Sequence, residues 1–147
     1  MLKDALKVEH NVLVELFAPD GKLKQRKEVH NLVPTVGKNA VAEQLLAAPG
    51  KEPPTHMAIG TGETAAEAGD TKLKTELDRN ALTSKTRATN VVTMVGDWAE
   101  EDGTGAITEA GLFNAAAEGD LYARAVFAVI NKAADDTLKI TWTLTSG

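Results

Sequence analysis

The sequence predicts a mainly β protein: about eight antiparallel strands with one or two short helices, arranged as a sandwich, jelly roll or small barrel and forming a single domain over residues 1–147. Three observations carry this reading. Apolar residues recur at period two in segment after segment. Clusters of Gly, Pro, Asn and Asp separate those segments at short intervals. Only one long stretch shows helical spacing, too few for a fold of alternating strands and helices.

The first element is a hairpin. Val8, Val12, Val14 and Leu16 share one face and Glu9, Leu13, Glu15 and Phe17 the other. Ala18-Pro19-Asp20-Gly21 supplies the turn, with Pro presetting φ and Gly21 free to take a positive one. In the return arm Leu23, Gln25, Lys27 and Val29 alternate with Lys24, Arg26 and Glu28, which predicts a wet face and a sheet edge. After Pro34, residues 35–48 switch to helical spacing, with Val41, Leu45 and Ala48 on one stripe. Thr35 is the expected N-cap and Pro49-Gly50 the stop. A short strand at 56–59 leads into a glycine-bearing loop over 60–69. Asp70 is then placed to cap a two-turn helix with Leu73 and Leu77 facing inward. Strands follow at 82–87, 91–98, 106–113, 121–130 and 137–145. The last alternates most cleanly, with Leu138, Ile140, Trp142 and Leu144 set against Lys139, Thr141, Thr143 and Thr145.

At 147 residues the chain can bury roughly 68–70% of its unfolded surface, so its core needs no cross-links. It has no Cys, which excludes disulfides, thiolate metal sites and a cysteine nucleophile. No apolar run approaches the ~20 residues of a membrane span, and the first residues lack a secretory apolar stretch. The expectation is a soluble chain made without an export signal. Net charge is −5. Residues 1–30 hold six Lys/Arg against five Asp/Glu, and the remainder ten against sixteen, which argues against nucleic acid as a partner.

The motifs that would carry chemistry fail on inspection. Met57-Ala58-Ile59-Gly60-Thr61-Gly62 resembles a phosphate cradle, but Glu63 follows where a P-loop needs Lys and Ser/Thr. A dinucleotide site would need a third glycine three residues on. His10, His30 and His56 lack zinc-site spacing, although the first hairpin can bring His10 beside His30. The acidic loop over 100–105 lacks the alternating ligand spacing of a calcium loop. No Ser occupies a nucleophile elbow. Glu76 and Asp78 would point to different faces of a helix. The expectation is a chain that is not an enzyme and needs no cofactor or metal. Two charges border apolar sequence, Arg79 and Glu109. A charge inside an apolar strand takes a partner, because burying it alone costs several kcal/mol, so these two are the candidate structural ion pair. Trp98, Trp142, Phe17, Phe113 and Phe127 are dispersed as for one shared core, and Tyr122, opposite Leu121, is expected at the surface.

The order of motifs along the chain resembles a group of small virion proteins of tailed bacteriophages, the capsid decoration (cement) proteins and related tail-associated proteins. The matching residues begin with His30-Asn31-Leu32-Val33, Gly37-Lys38-Asn39-Ala40 and Thr55-His56-Met57-Ala58-Ile59-Gly60-Thr61-Gly62. Gly69-Asp70-Thr71 follows, with Leu73, Glu76-Leu77 and Arg79. Thr108-Glu109-Ala110-Gly111-Leu112-Phe113-Asn114, Leu121-Tyr122-Ala123-Arg124-Ala125-Val126-Phe127 and Ile140-Thr141-Trp142-Thr143-Leu144-Thr145 complete the set. The resemblance runs from residue 28 to the end. It implies a non-catalytic, β-rich domain, an antiparallel jelly-roll-like sandwich, that binds the major capsid protein shell, stabilises the head and self-associates as a homodimer or homotrimer in the virion. A tail or baseplate component is the alternative it leaves open, and a ligand- or ion-binding jelly-roll module is the alternative outside that group. The candidate interface comprises Met1, Leu2, Lys3 and Lys7 in an extended N-terminal arm over 1–7, the basic residues Lys22, Lys24, Arg26 and Lys27, and the turn Gly60, Thr61 and Gly62.

Overall fold

The computed structural model describes residues 8–146, so the arm over 1–7 lies outside the described residues. Nine strands and one helix follow in the order β1 (Val8–Phe17), β2 (Leu23–Val29), α1 (Thr35–Glu43), β3 (His56–Gly60), β4 (Glu76–Ala81), β5 (Ser84–Ala88), β6 (Val91–Trp98), β7 (Gly105–Phe113), β8 (Leu121–Lys132) and β9 (Thr137–Ser146). They form two antiparallel sheets, β2-β1-β9-β6-β5 and β4-β3-β7-β8. Four hairpins alternate between the sheets: β1–β2 and β5–β6 in the five-stranded sheet, β3–β4 and β7–β8 in the other. β9 then inserts between β1 and β6, pairing the first strand with the last along its whole length.

The period-two patterns place the core. Val12, Val14 and Leu16 of β1 and Leu138, Ile140 and Trp142 of β9 turn inward and are buried. They meet Met57 and Ile59 of β3, Ile107 and Leu112 of β7, and Phe127 and Ile130 of β8. The strands apolar on both sides belong to the four-stranded sheet, because its outer surface is also covered. There Ala58, Leu73, Phe113 and Leu121 form a second cluster, with Val36 packed against it. Loop 61–75 and the start of α1 provide that cover.

Two expected helices change form. Helix α1 ends at Glu43, so Leu45 and Leu46 lie beyond it and are exposed. Its N-cap position is Pro34, with no side-chain cap; Thr35 is the first helical residue, and its N–H donates to the Ala68 carbonyl (2.8 Å). The segment expected to be a helix after Asp70 is a loop followed by strand β4. Leu73 plugs the outer cluster, while Leu77 is exposed. A spacing of four residues matches one turn of helix, and it equally matches one loop anchor followed by one strand residue. Tyr122 is buried, not surface-exposed: its hydroxyl donates to the Glu52 carbonyl (2.7 Å) and accepts from Gln44 Nε2 (3.2 Å).

Candidate functional site

The strongest concentration of buried polar chemistry lies on the outer side of the four-stranded sheet, beneath loop 61–75. Register fixes its rows. Gly60 of β3 sits opposite Glu109 of β7, and Ala58 opposite Gly111, which in turn faces Arg124 of β8. Glu109 and Arg124 therefore emerge on one face, one row apart, and neither side chain is exposed to solvent.

Glu109 accepts four hydrogen bonds. Oε2 takes the backbone N–H groups of Gly62 (2.8 Å) and Thr75 (2.8 Å); Oε1 takes Lys74 N–H (3.0 Å) and Arg124 Nε (3.0 Å). Arg124 also donates Nη1 to Asp70 Oδ2 (3.1 Å) and Nη2 to the Thr64 carbonyl (2.8 Å). Asp70 is completed by Glu67 N–H (2.9 Å) and Lys74 Nζ (3.0 Å). Thr108 Oγ1 adds a bond to the Gly62 carbonyl (2.8 Å). Two cations and two carboxylates thus balance, and a loop with little secondary structure is fastened at both ends. The glycines make the close approach possible. A Cβ at Gly62 would stand 2.6 Å from Lys74 Cβ, and one at Gly60 would stand 2.6 Å from Glu109 Oε2.

Burial pushes the Glu109 carboxyl up, but the donors from Thr75, Lys74, Gly62 and Arg124 outweigh it, and the net shift is downward. Asp70 follows the same balance, with burial opposed by Glu67 N–H, Lys74 and Arg124. Both groups stay ionised, with Glu109 accepting four hydrogen bonds and Arg124 donating three inside the protein. A buried, hydrogen-bonded cluster of this kind rigidifies the core around it and helps to specify a fold.

The expected Arg79–Glu109 ion pair is therefore replaced. Arg79 of β4 lies opposite Ala58, one row from Glu109, with its guanidinium 3.7 Å from the centre of the Phe113 ring. It pairs with Glu76 (2.7 Å) and donates Nη1 to the carbonyls of Ala115 (3.0 Å) and Glu118 (2.8 Å). The true partner of Glu109, Arg124, carries the very signal that singled out Glu109: a charge inside an apolar strand. Arg79 also lines an open cavity of about 490 Å³ with Phe113, Lys72 and the 116–119 loop, but its donors are already engaged.

The other interface residues scatter. Gly60 and Gly62 are buried around Glu109, and Thr61 is half-buried with its N–H on the Thr75 carbonyl (2.9 Å); they are architecture, not a presented surface. Of the basic run, Lys24 pairs with buried Asp136 (2.8 Å) and Arg26 with Glu28 (2.9 Å), so two of the four charges are compensated within the chain. Lys22 is exposed and Lys27 half-buried. Met1, Leu2, Lys3 and Lys7 fall outside the described residues.

Elsewhere, His30 Nδ1 lies 2.8 Å from the His10 carbonyl, so the first hairpin does bring the two histidines together. Around the acidic loop, Asn80 Nδ2 donates to Asp102 (2.8 Å) and to the Asp97 carbonyl (2.9 Å). Burial and the neighbouring Asp102 carboxylate push Asp78 up. Among the described residues, no three His, Asp or Glu side chains are placed to share a metal ion. No family model matches the chain, and neither a curated protein nor a solved structure matches it significantly.

Proposed function

We propose that this chain is a non-enzymatic structural protein of a tailed-phage virion, a capsid decoration protein that binds the major capsid protein shell and stabilises the head. One observation carries the reading. The motifs that resemble that group, Gly60-Thr61-Gly62, Asp70, Glu109 and Arg124, converge on a single buried, hydrogen-bonded ion cluster. They are the fold's fastening, and function is left to the surface. That surface offers sheet edges. β5 ends the five-stranded sheet and is exposed along its whole length, its Lys85 Nζ donating to the Pro54 carbonyl (2.7 Å) and its Arg87 Nη1 to the Thr89 carbonyl (2.6 Å). An edge of this kind can accept a strand from a neighbour, main-chain hydrogen bonds giving affinity. Many copies on one shell would add modest contacts into a large resistance to internal pressure.

Co-sedimentation with expanded heads stripped of decoration tests this. Saturable binding at a fixed stoichiometry, with heads that resist heating better, is the expected outcome. Binding to purified tails and not to heads would replace this reading with the tail or baseplate alternative.

A further inference from the structure

The outer face of the five-stranded sheet is covered by no other element of the described chain, and its charges are arranged in an order that fits a copy of itself. Register places Arg26 of β2 opposite Glu15 of β1, Glu15 opposite Lys139 of β9, and Lys139 opposite Asp97 of β6. These four residues alternate with the buried Val14, Leu16, Leu138, Ile140 and Trp98, so they share the outward face. Read across the strands, the row runs positive, negative, positive, negative. Arg26 bonds Glu28 on its own strand, while no ion pair is made by Glu15, Lys139 or Asp97 among the described residues.

Beside this row the face is uncharged at its centre. Across β1, β9 and β6, Leu13, Thr141 and Val95 form the next row, with Glu28 of β2 at its end opposite Leu13, and Asn11, Thr143 and Thr93 form the one after; these six residues of β1, β9 and β6 are half-buried by their neighbours alone. The result is a mixed apolar and hydroxyl patch with the charged row along one side and, at its β2 edge, Glu28 held by Arg26 (2.9 Å) and Asn11 Nδ2 (3.1 Å).

We propose that this face is a self-association surface, and that two copies pack through it face to face about a two-fold axis parallel to the strands. The charge order selects that axis. Rotation about a line running between β1 and β9 lays each β1 over the partner's β9 and each β2 over the partner's β6, at unchanged height along the strands. A row reading + − + − then meets its own reverse. Arg26 faces the partner's Asp97, and Glu15 faces the partner's Lys139, each contact occurring twice by symmetry. A two-fold perpendicular to the strands forfeits all four contacts: away from the row it carries the row to a different height, and along the row it sets each charge against its own copy. Aligned packing of two sheets is a standard geometry, with the inner side chains interdigitating over about 10 Å. Four strands about 4.8 Å apart and eight residues long cover on the order of 500 Å² per copy, so the dimer buries about 1,000 Å², near the lower bound for a specific interface. The surface does not depend on the capsid reading: a dimer formed in solution leaves the edge strand β5 outside the contact.

Charge reversal tests it on the full chain by sedimentation velocity across a concentration series. The wild type is expected to form a dimer that dissociates on dilution and weakens as salt is raised. Glu15→Lys alone sets two ammonium groups against the partner's two, and Lys139→Glu alone does the same with carboxylates. Each is expected to weaken association at least about a hundredfold, since facing like charges cost several kcal/mol. Mixing the two variants in equal amounts restores opposite charges at both contacts and is expected to yield a heterodimer. Arg26→Glu mixed with Asp97→Lys is the second pair and should behave alike. The proposal is overturned if the wild type stays monomeric to about 0.1 mM, if it forms a closed trimer, or if the variants associate as the wild type does. It is equally overturned if neither folded pair recovers association on mixing.

Discussion

Glu109 accepts four hydrogen bonds in a site without solvent, and three of its donors are backbone N–H groups of the loop it holds. Its removal therefore acts twice, freeing the loop and leaving the Arg124 charge buried with fewer partners. Glu109→Ala should lower stability by about 3–5 kcal/mol in urea denaturation, whereas a surface carboxylate would cost well under 1 kcal/mol. A loss below about 1 kcal/mol would show that the cluster does not hold the fold. The same groups set the response to acid. Glu109, Asp70 and Asp136 all have folded values below their ordinary ones, 4.5 for Glu and 3.8 for Asp. As pH falls, the unfolded chain takes up protons at those carboxylates first. Their stabilisation is thus complete above the unfolded values and is lost as pH drops through the folded ones. Thermal unfolding followed from pH 7 downward should show a melting temperature that begins to fall near pH 4.5 and keeps falling; a flat profile would contradict the assignment. Asp78 has the opposite sign. Burial and Asp102 raise its folded value above 3.8, so it favours the folded state only at low pH and opposes it once ionised. Asp78→Asn replaces a repelled carboxylate by an amide able to donate to Asp102. At pH 7 it should raise stability by about 1 kcal/mol, and a measured loss would refute the pairing.

At the scale of elements, α1 depends on contact with β8 more than on its own sequence. A Cβ on Gly37 would lie 2.8 Å from the Leu121 carbonyl and closer still to that of Tyr122, both rigid backbone. Alanine is the better helix former by about 1 kcal/mol, so intrinsic propensity alone predicts that Gly37→Ala stabilises. The packing predicts the reverse, a loss of about 1–3 kcal/mol as the helix is pushed off the strand. Chemical denaturation decides the sign. The same contrast explains which elements were legible. β1 and β9 each have one face on the core and the other uncovered, so their alternation reads directly as strand. Residues 70–81 carry no such alternation, because Asp70 and Leu73 anchor a loop and Leu77 faces solvent on an edge strand. Two leucines four residues apart then imitate a helix. Helix α1 was legible at its start, where Pro34 breaks the preceding arm, and not at its end. Leu45 and Leu46 continue the apolar stripe past the point where it has anything to pack against.

Across the whole molecule, the fold closes through its most distant pieces. β9 completes the five-stranded sheet between β1 and β6, and loop 61–75 reaches β7 and β8 through Arg124 and Glu109. Period-two patterning identifies a sandwich but is silent on strand order, since it reports only which face of a strand is covered. The site was half legible for a related reason. Glu109 reads as a buried charge in need of a partner, and Arg79 as its candidate because it too borders apolar sequence. Because that segment is β4, with β3 between it and β7, Arg79 reaches Phe113 instead, while Arg124 on the adjacent strand β8 meets Glu109. The sandwich turns its motif residues inward and leaves edge strand β5 and the outer face of the five-stranded sheet uncovered by other elements of the described residues, which supports the proposed role in assembly. The most direct test is cryo-electron microscopy of intact virions that carry this chain. The account predicts symmetric density for the sandwich over the capsid shell, in contact with the major capsid protein. Density confined to the tail, or none on the particle, would contradict it.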